Sequence, residues 1–229
     1  PFGSLLLWSK PSDGCDSFIP NGGSDSRTSL ALHASIRTTV SHRANLRKER
    51  IPRCERLLNM SQITQLLKQH RRNLHTYPET AWTEFQTTWY IYQQLMTLPF
   101  KLRLGKEILN EAFVLNRDEE EVKSSTKRAL NNGVPKEFIH ILDEFTGVMA
   151  TFETHKSGPT FVLRFDIDAL PIQETEDAQH LPNLLGFRSR HDNCMHACGH
   201  DFHTAIGLVL ARWISEQRAK LRGKIILLF

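Results

Sequence analysis

Cysteine is scarce in this 229-residue chain, with only Cys15, Cys54, Cys194 and Cys198. Four so scattered cannot staple a disulfide scaffold, and the two nearest each other sit inside a histidine-rich stretch. The chain therefore reads as one made for a reducing compartment, the cytoplasm first of all. Long apolar runs are also missing, and nothing approaches the roughly 18 residues that a membrane-spanning helix needs. Basic excess is absent where it would matter. The formal net charge is +4, but nine of the 29 Lys/Arg and five of the 25 Asp/Glu lie in residues 1–59, which leaves 20 of each in 60–229. A neutral body offers no basic face to a phosphate backbone, and no second Cys/His pair stands at finger spacing, so nucleic acid is set aside as a partner.

Residues 1–59 lack apolar periodicity apart from Leu5-Leu6-Leu7-Trp8, and they are rich in Ser, Gly, Pro and Arg. They are expected to be disordered, either as a targeting leader or as upstream sequence foreign to the working protein. The second is preferred, because the first methionine is Met60 and amphipathic pattern begins there. An organelle address in this stretch stays open.

From residue 60 onward the pattern is that of an α/β protein. Ser61 is a plausible N-cap for a helix with Ile63, Leu66, Leu67, His70 and Leu74 on one face, fading before Pro78. Phe85, Trp89, Tyr92 and Met96 mark the buried face of a second helix, and Lys101–Leu104 alternates like a strand closed by Gly105. Residues 110–144 read as a helical insertion used for packing. Asp118 and three glutamates head one helix, Lys127 and Arg128 lie near its end, Gly133 follows, and Pro135 opens another. Segments 147–152 and 160–165 are expected to form a hairpin about the turn 155–159. Phe202, Ile206, Val209, Leu210 and Trp213 suggest one buried helix face, with the helix ending near Gly223. Lys224–Phe229 is the continuous apolar run of a mid-sheet strand. A strand with no turn or cap after it suggests a truncated chain.

Chemistry concentrates in Met195-His196-Ala197-Cys198-Gly199-His200-Asp201-Phe202-His203. Cys198 and His200 are two apart across a glycine, so a bent loop can turn a thiolate and an imidazole toward one ion. His196 and His203 are further candidates, and His203 could equally cap or pack. Asp166 and Asp168 stand where the 160–165 strand stops, on the same side of an extended chain, at the strand end where ligands of open α/β sheets gather. Asp168 could orient a ligand, bind metal itself, or cap a turn before Ala169-Leu170-Pro171.

Three blocks in order, Arg71–Glu79 with Glu84, Arg164–Pro171, and Met195–Ala205, resemble the M20 family of metallo-amidohydrolases and peptidases. The stretch Leu104–Glu111, the insertion after it, Phe145–Thr151 and His203–Leu208 are similar to the members that cleave p-aminobenzoyl-glutamate. The resemblance implies an N-terminal part of an M20-type catalytic domain, a mixed sheet flanked by helices, over 60–229. It implies hydrolysis of the amide of an N-acyl amino acid, p-aminobenzoyl-glutamate to p-aminobenzoate and glutamate before indole-acetyl amino acids. It also implies two divalent metal ions, manganese or zinc, with Cys198 and His200 as ligands and Asp168 orienting the site, in a dimer or hetero-oligomer. Phe202 stands where many members have Gly, and Cys194 stands where the family asks for none. In the family a Gln-Pro-Ala-Glu-Glu segment with the general-base glutamate follows a strand like 224–229, then further ligand histidines and a dimerisation domain. None is in this sequence, so these 229 residues are expected not to turn over. The alternative is an inert fragment or pseudoenzyme that binds metal or serves as an interaction module.

Overall fold

The computed structural model describes residues 58–229, and the expectations for residues 1–57 lie outside them. Helix α1 runs Met60–Thr76 and opens two residues earlier than Ser61 as a cap would have it. Asn59 is the cap: its side chain accepts from the Gln62 amide while Gln62 reaches back to the Asn59 amide, a reciprocal capping box. Helix α2 spans Phe85–Leu95. Its buried side is Phe85, Ile91 and Leu95, with Trp89 and Tyr92 at the margin and Met96 exposed, so the expected face is rotated. The stacked pair Trp89–Tyr92 is drawn aside because Phe138 of the insertion packs against both rings.

Strand β1 (Lys101–Leu104) leads through two 3₁₀ turns into α3 (Glu119–Asn131) and α4 (Lys136–Leu142). Asp118 caps α3 by accepting from the amides of Glu120 and Glu121, and the three glutamates sit at the positive end of the helix dipole. Val122, Ala129, Phe138 and Leu142 of this insertion join the main core. Its packing role follows directly.

Strands β2 (Val148–Glu153) and β3 (Thr160–Arg164) do not form the expected hairpin. After the short α5 (Leu181–Leu184) and the long α6 (His200–Gln217), strand β4 (Lys224–Leu228) enters between them, giving the order β1-β2-β4-β3. It runs antiparallel to β2, with Ala150 opposite Leu227, and parallel to β3, with Val162 opposite Ile226. A run as apolar as Ile225–Leu228 is most stable with both edges paired and both faces covered, which outweighs the local closure of a turn. The 154–159 connection opens just wide enough for this, and Gly158 touches Gly223 so closely that a Cβ would lie 2.7 Å from the Gly223 nitrogen.

Helix α6 covers one face of the sheet, packs along α1, and ends at Gln217 rather than near Gly223. Its buried side carries small residues, Ala205, Gly207 and Ala211, beside Leu208 and Ile214, whereas Phe202, Ile206 and Trp213 point outward. Of the expected face Val209 is buried and Leu210 packs on the core, while the other three residues are exposed, because a helix wedged between a sheet and another helix needs small side chains where backbones approach. Among the described residues no helix is long and apolar enough to cross a membrane.

Candidate metal site

The carboxyl end of β3 is where the three sequence blocks meet. Beyond Arg164 the chain stays extended through Asp166 and Asp168, and two isolated bridges hold it: Thr80 beside Ala169, and Leu170 paired with Met195 in both directions. The Leu170–Met195 pair delivers the histidine-rich loop to the strand end. Gly199 then takes a left-handed backbone, φ +87°, so the chain can turn into α6, and a Cβ there would meet no other atom within 4 Å. Conformation, not space, calls for glycine.

This turn sets His200 against Asp168. Its Nδ1 donates to the Asp168 carboxylate at 2.9 Å and lies 3.1 Å from the Asp168 carbonyl. With Nδ1 committed as donor, Nε2 is left with a free lone pair, the arrangement a metal-binding imidazole needs. One turn along α6, His203 stands with its ring 5.2 Å from that of His200 and its Nδ1 3.9 Å from Asp166. Asp166, His200 and His203 each bring a ligand atom within 4.8 Å of the other two. One carboxylate and two imidazoles suit zinc or manganese. Arg164 competes for Asp166 across 2.6 Å.

Beneath this cluster is a buried ionic network. His75, at the end of α1, donates from Nδ1 to Asp201 at 2.9 Å and from Nε2 to Glu174 at 3.0 Å. Burial alone would lower the His75 pKa, but the hydrogen bonds to Asp201 and Glu174 and their charges outweigh it and raise it. The two carboxylates move the other way: burial, which would raise them, is overcome by the His75 contact, helped by Ser189 at Glu174 and by Arg71 at Asp201. Against the His75 ring lies His196, 5% exposed, with both ring nitrogens buried and unpartnered. Burial pushes its pKa down to about 4, so the ring is neutral.

The first block is wiring for the other two. Arg71 and His75 hold Asp201; the Pro78 carbonyl accepts from His191; the Glu79 carbonyl accepts from Ala169, next to Asp168. The Glu79 carboxylate caps α2 through the amides of Gln86 and Thr87 and meets Arg128 of the insertion. Of the residues singled out in the sequence, Asp168 and His200 are brought into contact. Cys198 is exposed two residues ahead of His200, and its sulfur is not among the clustered ligand atoms. Cys194 is buried, which pushes its thiol up to about 11 and leaves it inert. His75, Glu174 and Asp201 carry no role in the sequence reading. Asp201 sits within the motif, whereas Glu174 lies in a polar loop with nothing to mark it.

Residues 162–229 match the model of peptidase family M20/M25/M40. A homolog, from Haemophilus influenzae, of one p-aminobenzoyl-glutamate hydrolase subunit is 41% identical over 168 residues, 73% of this chain and 40% of that protein. An aminobenzoyl-glutamate utilization protein from Klebsiella pneumoniae superposes with a TM-score of 0.56 at 30% identity, over 74% of this chain and 36% of its own. A Bacillus subtilis protein described as a dinuclear metal binding peptidase of the M20 family gives 0.50 at 31% identity, over 75% and 36%. The chain thus spans about two fifths of the length of the relative it matches by sequence. With the three blocks converging on one strand end in the fold those structures share, the chain belongs to peptidase family M20/M25/M40.

Proposed function

We propose that the chain carries the metal-holding part of an amidohydrolase for N-acyl amino acids. Its first substrate is p-aminobenzoyl-glutamate, cleaved to p-aminobenzoate and glutamate, with indole-acetyl amino acids as the next class. The observation that carries the reading is the commitment of His200 Nδ1 to Asp168, which leaves Nε2 for a metal beside Asp166 and His203. Cys198 and His200 are ligands in this reading, and Asp166 and His203 are close enough to His200 to extend the set around two divalent ions, manganese or zinc. Such ions polarise an amide carbonyl and acidify water. Asp168 holds the His200 ring in one tautomer and one orientation, so that its lone pair is presented without a search over rotamers. Neutral His196 adds no positive charge near the site. Assembly as a dimer or hetero-oligomer in the cytoplasm belongs to the same proposal.

Cobalt titration of the full chain tests it. The expected result is a visible cobalt spectrum with a thiolate-to-metal band that disappears in Cys198→Ser, and an affinity that drops about 10–100-fold in Asp168→Ala. An unchanged spectrum in Cys198→Ser removes Cys198 from the ligand set. Loss of cobalt in Asp166→Asn and His203→Ala but not in Cys198→Ser would assign the metal to the three-residue cluster alone. The substrate class is checked by calorimetry, where p-aminobenzoyl-glutamate is expected to bind the metal-loaded chain and not the stripped one.

A further inference from the structure

Asp201 follows His200 in sequence, yet it faces the opposite way, into the protein. One of its oxygens accepts from the Phe202 amide in the first turn of α6, and the other accepts from His75 and, at 3.1 Å, from Arg71. On the far side of His75, Glu174 accepts from the Ser189 amide at 2.6 Å and from His180 at 2.9 Å. Three chain segments that share no secondary structure, the end of α1, the 174–189 loop and the start of α6, therefore meet on one imidazole ring. His75, Asp201 and Glu174 are 3%, 1% and 1% exposed. Water cannot replace a lost contact there.

We propose that His75 is a positioning residue for the metal-holding turn: by donating at once to Asp201 and to Glu174 it sets where His200 and His203 stand. The proposal rests on the reading that this turn holds metal. A carboxylate can only accept, so a group between two of them must donate from opposite ends, and among neutral side chains of this size none does so. Doubly donating imidazole carries the positive charge that offsets its two neighbours, in keeping with its raised pKa. Glutamine in its place would donate at one end and turn a carbonyl oxygen toward a carboxylate at the other. Asp201 would keep Arg71 and Glu174 would keep Ser189 and His180, but one of the two would lose its His75 donor and face a carbonyl oxygen in a site closed to water, and the turn would yield, since Asp201 is the second residue of α6. Metal ligands depend on such outer contacts for their placement, and removing one costs affinity without touching a ligand.

The test compares the full wild-type chain with His75→Gln and with Val122→Ala, a core change in the insertion that lowers stability away from the network. Three quantities are measured: cobalt affinity by absorption titration, the metal-free melting temperature, and amide exchange at Phe202 and His203. His75→Gln is expected to weaken cobalt binding by about tenfold or more and to speed exchange at both amides. Val122→Ala is expected to melt earlier with both readouts unchanged. Wild-type affinity and exchange in His75→Gln would overturn the proposal, as would equal losses in the two variants. A wild type that binds no cobalt would defeat the metal reading, and the exchange comparison would then decide the positioning role by itself. Should His75→Gln not fold, Glu174→Gln, which leaves the His75–Asp201 contact in place, is expected to give a smaller loss of the same sign. No change in that variant overturns the proposal too.

Discussion

A carboxyl group with no water and two other carboxyls nearby gains little by ionising, and Glu84 is such a group. It is 6% exposed and accepts one hydrogen bond, 2.7 Å from Thr146. Burial, only partly opposed by that bond and reinforced by Glu79 and Asp168, pushes its pKa up to about 8. The folded chain then holds a proton that the unfolded chain releases near 4.5, so Glu84 makes stability fall as pH rises between 4.5 and about 8. Glu84→Gln cannot ionise. Its melting temperature is expected to gain on wild type progressively across that window, and a constant difference between the two curves would refute the assignment. The sequence shows Glu84 as part of a block but not its protonation, which comes first from its burial in the fold and then from the closeness of Glu79 and Asp168. In the same way Asp168 and His200 are readable from strand-end position and ligand spacing. The grouping of Asp166 with His203 needs the angle at which α6 leaves Gly199, and His75's two partners lie 126 and 99 residues away in the chain.

At the scale of elements, periodicity locates helices and strands well and faces poorly. The capping signals around α3 and the apolar run of β4 carry their own physics, and both elements lie where the sequence places them. Which side of α6 is buried depends instead on what lies on either side of it. Gly207 shows why: a Cβ there would sit 2.4 Å from the Phe229 ring and 2.8 Å from the Phe165 ring, which stack on each other with centroids 5.1 Å apart. The helix rests on those two rings with no room for a methyl group. Gly207→Ala gains up to about 1 kcal/mol in helix propensity. Displacing two packed aromatics costs about 1–3 kcal/mol, so the net expected change is a loss. Urea unfolding would show it as a lower midpoint at unchanged slope, and a midpoint above wild type would mean that the rings shift freely. The β2–β3 hairpin fails to form for a related reason: a local turn signal cannot announce a strand that arrives some 60 residues later and inserts between its arms.

Over the whole molecule, the sheet has two edges of different character. On β1, Lys101 and Arg103 point outward and place charge along the edge, the usual guard against pairing with another chain. β3 carries its one charge, Arg164, at its last residue and none in its middle. All five of its residues are exposed, with Phe161 at 56% and Val162 at 62%, and among the described residues no strand pairs with the side away from β4. Unpaired amides beside apolar side chains form a template for strand addition, and the attraction is both hydrophobic and directional. The 229-residue chain is therefore expected to self-associate in a concentration-dependent way when followed by sedimentation velocity. Val162→Lys puts a charge in the middle of the exposed strand. Desolvating that charge in a strand-to-strand contact opposes pairing, while the β3–β4 hydrogen bonds, which are made by backbone groups, stay intact. A shift of Val162→Lys toward monomer with an unchanged circular dichroism spectrum is the expected outcome. If wild type is monomeric at every concentration, or if Val162→Lys associates as strongly, then this edge is not where the molecule meets other chains.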